Sequence, residues 1–141
     1  MWINKAYRDK SLVLFLLLVF TDQISKQAAI HHAIPVLSWR NFNWAFSIPV
    51  PPGVIVGFQG CILLIMLIWL PRNPSNRQLF LLLIIAGGFS NLLDRLLSSG
   101  TIDIFQVSSL AFNFADIFII AGAISLALSL FAVRNTPSVS P

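Results

Sequence analysis

Four long apolar segments alternate with polar connections along this chain of 141 residues. A helix needs roughly 20 residues to cross the hydrocarbon core of a bilayer, and each segment is close to that length. The pattern therefore predicts an all-α membrane protein with four transmembrane helices, organised as a single polytopic domain over residues 1–141. The predicted spans cover residues 11–30, 53–70, 79–97 and 112–133. The Pro- and Ser-containing tail, residues 134–141, is expected to be disordered.

The first apolar segment has two interpretations. Its basic start and short apolar run resemble a cleavable signal peptide. Asp22 and Lys26, however, interrupt the segment before any small-residue cleavage site. In a helix these side chains lie four residues apart on one face and can form an ion pair, although a helix end that simply snorkels to water would also explain them. We therefore predict a retained helix that carries Asp22 and Lys26 near its C-terminal end.

Residues 31–52 form the longest polar break in the chain. Apolar and polar positions alternate over residues 36–48, which predicts a small β element between the first two helices. Trp39 and Trp44 suit the headgroup region of a membrane, where amphipathic rings are enriched. The break is therefore predicted to lie outside the membrane as a small sheet.

The composition agrees with a membrane protein and restricts its chemistry. Hydrophobic residues make up 57% of the chain and the mean hydropathy is +0.83, beyond what a soluble domain of this size needs. The net charge of +4 comes from basic residues scattered at segment ends, so nucleic-acid binding is not predicted. The single Cys61 can form no internal disulfide. Glutamate is absent, so any carboxylate chemistry must use five aspartates: Asp9, Asp22, Asp94, Asp103 and Asp116.

The distribution of charge across four spans predicts the topology. One side holds six basic residues and one aspartate, whereas the other holds three basic residues and four aspartates. The excess of Lys and Arg marks the cytoplasmic side of a membrane protein. Both termini are therefore predicted to be cytoplasmic, with four aspartates near the extracytoplasmic surface.

Polar residues concentrate where the third span ends and the fourth begins. Asn91 lies three residues before Asp94 and four before Arg95, so all three can share a helix face at the membrane boundary. Asn113 and Asp116 lie in the first turns of the fourth span, where the helix dipole favours an acid, and a capping role alone would also explain Asp116. Ionisable groups at membrane depth are costly and are by default functional.

Asp103 stands between two isoleucines in the connection between these spans, an odd place for a carboxylate unless it faces a polar cavity. Together with Asp116 it could perform aspartic-protease chemistry, in which one carboxylate activates water and the other stays protonated. The zinc-protease motif HExxH is absent, and adjacent His31 and His32 do not form a metal site. Ser25 and Lys26 point about 100° apart on a helix and cannot form a dyad. No metal or other cofactor is predicted.

Taken together, five motifs resemble those of bacterial lipoprotein signal peptidase, also called signal peptidase II, over about residues 11–133. They are Asp22-x-x-x-Lys26, Asn41 followed by Ala45-Phe46-Ser47, Asn91-x-x-Asp94-Arg95, Ile102-Asp103-Ile104-Phe105 and Phe112-Asn113-Phe114-Ala115-Asp116. The resemblance implies a membrane aspartic endopeptidase that removes signal peptides from diacylglyceryl-modified prolipoproteins and cuts just before the lipidated cysteine. It also implies an extracytoplasmic β-cradle after the first span.

The resemblance assigns roles to nine residues. Asp103 and Asp116 correspond to the catalytic pair of the family. The residues that hold the site together and contact substrate or lipid correspond to Asp22, Lys26, Asn41, Asn91, Asp94, Arg95 and Asn113. The implied protein is a monomer in the bacterial cytoplasmic membrane, its partners are lipid-modified prolipoproteins and membrane phospholipids, and its active site is at the extracytoplasmic surface.

The chain departs from the family pattern at two places. Asn43 and Trp44 stand where the family has small residues, and Ser90 stands where it has Gly before the Asn of its third motif. Because both catalytic aspartates are retained, these departures concern the fit of the substrate rather than the chemistry. Trp44 is expected to pack at the lipid-facing rim of the cleft and to narrow the entry for substrate.

A different class of function would also use intramembrane charge. In a small non-catalytic transporter or assembly factor, Asp103 and Asp116 would bind protons or partners. A proton-coupled carrier is expected to place its carboxylate near the bilayer midplane. Two aspartates at one surface therefore favour the enzyme.

Overall fold

The computed structural model of the protein describes residues 5–31, 39–42, 49–72 and 75–134. Four α-helices dominate this part of the chain, and each is long and apolar enough to cross a membrane, which confirms the predicted fold class. They are α1 (Lys5–Ile30), α2 (Pro52–Trp69), α3 (Ser75–Ser98) and α4 (Phe114–Arg134). Residues 43–48 and 135–141, which include Asn43, Trp44 and the tail expected to be disordered, lie outside the described residues.

The helices α1, α2 and α4 surround α3. More than half of the apolar span of α3 is buried, and α3 packs against each of the other three helices. The outer helices keep large apolar side chains exposed, among them Leu17, Ile65 and Leu128, each at least 58% exposed. Such surfaces are stable in hydrocarbon, so the exposure agrees with lipid contact.

Glycines let α3 approach its neighbours closely, as small residues do between membrane helices. A Cβ atom on Gly87 would overlap the backbone carbonyl oxygen of Ala115 on α4 and lie 2.9 Å from Ile119 Cγ1. Gly88 faces the opposite way, where a Cβ would lie 2.9 Å from Leu63 on α2. Gly87 therefore permits the close approach of α4 to α3, and Gly88 permits that of α2.

Gly87→Ala is expected to lower the stability of the protein in detergent by about 1–3 kcal/mol, because the new methyl group must push the first turns of α4 away from α3. Gly57→Ala is the matched control, since a Cβ there meets nothing within 4 Å in the described structure. Thermal unfolding of both variants measures the difference. Equal melting temperatures would contradict the close approach of α3 and α4 at Gly87.

Within the described residues, four short strands form two antiparallel pairs beside the helix ends. Strand β1 (Trp39–Asn41) pairs with β2 (Thr101–Asp103), so that Trp39 lies opposite Asp103 and Asn41 opposite Thr101. Strand β3 (Phe105–Val107) forms a hairpin with β4 (Leu110–Phe112). The predicted β element between the first two helices is therefore present in β1, but its partner comes from the connection between α3 and α4. This pairing fixes the backbone of Asp103 against the segment after α1.

Candidate active site

The start of α4 is fixed by a reciprocal pair of hydrogen bonds. The side-chain oxygen Oδ1 of Asn113 accepts a hydrogen bond from the backbone N–H of Asp116 at 3.1 Å, and Asp116 Oδ2 accepts one from the backbone N–H of Asn113 at 3.1 Å. This is a capping box, in which the cap residue and the third residue of a helix satisfy each other's backbone donors. The helix accordingly begins at Phe114, two residues later than the hydrophobic pattern predicts. Asp116 therefore caps the helix, which is the capping role that its position in the sequence also suggested.

Asn113 also connects Asp116 with Asp103. Its Nδ2 group donates to Asp103 Oδ1 at 2.9 Å and to the backbone oxygen of Ile102 at 3.2 Å. The other carboxylate oxygen of Asp103, Oδ2, accepts a hydrogen bond from Asn41 Nδ2 at 3.3 Å. Asn41 reaches it because β1 pairs with β2 and places Asn41 diagonally across from Asp103 on the ladder. Asn113 thus holds both carboxylates, that of Asp103 through its side-chain Nδ2 group and that of Asp116 through its backbone N–H. We call Asp103 and Asp116 the aspartate pair.

Burial changes the acidity of Asp103, whose side chain lies outside the membrane-spanning helices. Asp103 is only 2% exposed, and the loss of water around its carboxylate raises its pKa, as does the nearby charge of Asp116. Hydrogen bonds from Asn41 and Asn113 and the charge of Lys26 act in the opposite direction but do not cancel the increase. Asp103 therefore keeps its proton to a higher pH than an exposed aspartate does.

A fully buried ion triad lies behind the aspartate pair. Lys26 Nζ is 2.5 Å from Asp22 Oδ2 and 2.6 Å from Asp94 Oδ2, and Lys26 and Asp22 have no exposed surface. The predicted pairing of Asp22 with Lys26 is therefore confirmed, and the snorkelling alternative is wrong because Lys26 does not reach the surface. Asp94 pairs with Lys26 from α1 rather than with its sequence neighbour Arg95.

Asp22 links this triad to the start of α4. Its Oδ1 atom accepts a hydrogen bond from the backbone N–H of Ala115 at 2.9 Å, and its Oδ2 atom accepts one from the Ser90 hydroxyl at 2.7 Å. A carboxylate at a helix N-terminus is favoured by the helix dipole. The carboxylate of Asp22 thus stabilises the first turn of α4, which carries Asp116.

Asn91 joins the triad to the aspartate pair. Its Oδ1 atom accepts a hydrogen bond from Lys26 Nζ at 3.1 Å, and its Nδ2 group donates to Asp116 Oδ1 at 2.9 Å. Arg95 lies on the same end of α3 and reaches the backbone oxygen of Asn91 at 3.5 Å. All nine residues singled out by the sequence therefore belong to one connected network: Asp22, Lys26, Asn41, Asn91, Asp94, Arg95, Asp103, Asn113 and Asp116.

Three further polar residues in this network were not assigned roles from the sequence. Gln23 Nε2 donates to Ser90 Oγ and to Asp94 Oδ1, both at 2.9 Å. Ser90, which replaces the glycine of the family pattern, is fully buried and connects Gln23 with Asp22. Gln59 on α2 accepts a hydrogen bond from Arg95 at 2.9 Å. Its position in an otherwise apolar helix is the one signal that could have identified it.

The buried polar side chains of the network are all hydrogen-bonded, and its two aspartates supply the kind of carboxyl pair that acid–base hydrolysis uses. Every buried side-chain nitrogen and oxygen in the described part of the chain has a hydrogen-bond partner. Both oxygens of each aspartate in the pair accept hydrogen bonds, which holds the two carboxylates in defined orientations. Two adjacent carboxylates in a partly dry site tend to share a proton, and one can then act as a base while the other acts as an acid.

Comparison with known proteins shows which family the chain resembles. The sequence profile of signal peptidase (SPase) II matches residues 14–132. The chain is 32% identical over 151 residues to a protein of Pseudomonas fluorescens named lipoprotein signal peptidase, with 89% of each chain covered. It is 29% identical over 146 residues to the lipoprotein signal peptidase of Acinetobacter baylyi, covering 86% of this chain and 82% of that protein. These relatives favour a peptidase over a carrier or an assembly factor.

Solved structures share the fold. A bacterial membrane enzyme whose structure was determined by the in meso method at 2.3 Å resolution superposes with a TM-score of 0.85, at 20% sequence identity and with 94% of each chain covered. A second such structure, at 1.9 Å resolution, gives a TM-score of 0.78 at 21% identity, covering 91% of this chain and 95% of that one. At this level of identity the likeness concerns the fold alone.

Proposed function

The chain belongs to the signal peptidase II family, and we propose that Asp103 and Asp116 are the catalytic pair of this enzyme. As a family member it is a membrane aspartic endopeptidase that removes the signal peptides of lipid-modified prolipoproteins and cuts before the lipidated cysteine. The observation that carries the proposal is the bridge made by Asn113, which hydrogen-bonds to both aspartates. Cleavage assays on Asp103→Asn and Asp116→Asn variants test it.

In the proposed mechanism, the aspartate pair holds one proton between its two carboxyl groups. The ionised carboxylate takes a proton from water, and the water oxygen attacks the scissile carbonyl carbon. The protonated carboxyl group donates a hydrogen bond to the carbonyl oxygen as negative charge develops there. Proton transfer to the leaving amine then completes the cleavage and returns the pair to its starting state.

The supporting residues act by orienting the pair. Asn41, Asn91 and Asn113 donate hydrogen bonds to the carboxylate oxygens, so they fix the direction in which the acid and base point. The triad of Lys26, Asp22 and Asp94 holds α1 against α3 and α4 behind them. Catalytic groups need such rigid support, since small displacements reduce the rate strongly.

We also propose that the protein acts as a monomer and that membrane phospholipids surround its apolar helices. The exposed side chains of the outer helices are apolar and suit hydrocarbon. A substrate anchored by its own lipid can then reach the site by diffusion within the membrane. All nine network residues come from one chain, which supports a monomeric site.

The proposed orientation places both termini in the cytoplasm and the aspartate pair at the extracytoplasmic surface of the bacterial cytoplasmic membrane. Its basis is the excess of Lys and Arg on the side of the termini. A reporter enzyme that works only outside the cytoplasm is expected to be silent when fused after Arg134 and active when inserted near Ser38. The opposite pattern would contradict this orientation and put the pair on the wrong side for exported substrates.

A further inference from the structure

The second helix, α2, carries one strongly polar side chain in an otherwise apolar span. Between Pro52 and Leu70, only Gln59 has an amide, hydroxyl or charged side chain, in a span of mean hydropathy 2.4. Polar groups inside a membrane are costly and are by default functional. Gln59 also hydrogen-bonds α2 to the polar network.

Gln59 uses both ends of its amide. The Nε2 group donates to the backbone oxygen of Gly88 at 2.7 Å, and Oε1 accepts a hydrogen bond from Arg95 Nη1 at 2.9 Å. A guanidinium group has only donors, so its partner must present an acceptor. The amide oxygen of Gln59 therefore has to face Arg95, and the amide orientation is fixed.

This contact keeps the Arg95 side chain directed toward the N-terminal end of α3. Helical side chains lean toward the N-terminus of their helix, and Arg95 Nη1 accordingly also approaches the backbone oxygen of Asn91, one turn earlier. Gln59 meets it from α2, roughly 10 Å along the helix axis from Pro52. Without that acceptor, a long cationic side chain would extend toward the helix end at Ser98, where water and headgroups can solvate it.

The position of this cation matters to the aspartate pair. The charge of Arg95 interacts most strongly with Asp116, and then with Asp94 and Asp103. Lys26 and Asp22 on α1 also act electrostatically on the pair, and Asp94 on α3 is bonded to Lys26. The described part of α2 contributes no charged side chain to this region. Arg95 also contacts the backbone of Asn91, whose side chain donates to Asp116, so this cation lies beside the pair and its anchor comes from α2.

We propose that Gln59 is a positioning residue, which anchors Arg95 beside the aspartate pair and thereby sets the pH range in which the pair works. The inference rests on the proposed catalytic role of Asp103 and Asp116. A cation favours the ionised form of a nearby carboxylate, so the pair can supply its ionised base at lower pH while Arg95 is held close. Release of Arg95 then has to move the acid limb of the pH–rate profile to higher pH.

Gln59→Met tests this, because methionine has a similar length and no group that can bind Arg95. For the full-length enzyme and a lipid-modified prolipoprotein, we expect kcat/KM on the acid limb to fall by a factor of up to about ten, since a shift of one pH unit there reduces the ionised fraction tenfold. We expect the acid limb of the kcat/KM profile to shift upward by about half to one pH unit. A change in helix packing alone would lower stability without moving this limb.

Leu63→Ala is the matched control. Leu63 is buried on the same helix and packs against Gly88, so its truncation loosens α2 from α3 without touching Arg95. It is expected to lower the melting temperature and to leave the acid limb in place. A Gln59→Met profile that superposes on that of the wild type, or an equal shift in Leu63→Ala, would overturn the proposal. If Asp103→Asn or Asp116→Asn retains activity, the catalytic assignment fails instead, and the two failures are thereby distinguished.

Discussion

Asp103→Asn and Asp116→Asn are each expected to reduce cleavage of a lipid-modified prolipoprotein by a factor on the order of 10³ or more. Asparagine preserves the size of the side chain, but it can neither take a proton from water nor share one with the remaining carboxylate. Because the two residues act as one unit, the double variant is expected to be no slower than either single variant. Initial rates with purified enzyme measure all three.

Loss of activity in these variants has to be separated from loss of the fold. An asparagine at position 116 retains one oxygen for the backbone N–H of Asn113 but cannot accept from Asn91 as well. A small loss of stability is therefore expected in Asp116→Asn, within about 1–2 kcal/mol, and the protein should remain inserted. Wild-type cleavage rates in either single variant would show that the pair is not catalytic.

Lys26→Met is expected to destabilise the protein by about 3–5 kcal/mol, because it leaves Asp22 and Asp94 as buried carboxylates without their cation. Asp22 also binds the first turn of α4 at Ala115, so the damage should extend to the position of Asp116. Thermal unfolding in detergent should show a much lower melting temperature, and the yield from membranes should fall with it.

The matched control for Lys26 is Lys10→Met, on the same helix but with an exposed side chain. Exposed charges usually contribute less than about 1 kcal/mol, so this variant should unfold at nearly the wild-type temperature. The two variants remove the same charge from the same helix and differ in burial. Similar melting temperatures for both would contradict a structural role for the buried triad.

The hydrophobic pattern predicted the four helices because a bilayer imposes their length directly. Part of the polar network could be located from spacing as well, since Asp22 and Lys26 lie one helical turn apart and Asn113 and Asp116 lie at a helix start. What spacing could not supply was the partner of each group. The carboxylate of Asp94 turned out to face α1 rather than Arg95, a choice that depends on how the helices pack.

The connection between α3 and α4 was harder to predict. Its strands are three residues each, too short for a periodic pattern, and β2 forms only because β1 arrives from a distant part of the chain. The contact between Gln59 and Arg95 was not predicted for a similar reason. A single amide in an apolar span has no sequence signature beyond its polarity, and its meaning depends on Arg95 lying opposite in the folded protein.

If Asp103 and Asp116 together cleave lipid-modified prolipoproteins just before the modified cysteine, the products identify the site. A diacylglyceryl-modified prolipoprotein is incubated with wild-type enzyme or with Asp103→Asn, and the products are analysed by mass spectrometry. The wild-type product is expected to begin with the lipidated cysteine, and the variant is expected to leave the precursor intact. The same lipidated product from Asp103→Asn, formed at the wild-type rate, would contradict the catalytic role of Asp103 and Asp116.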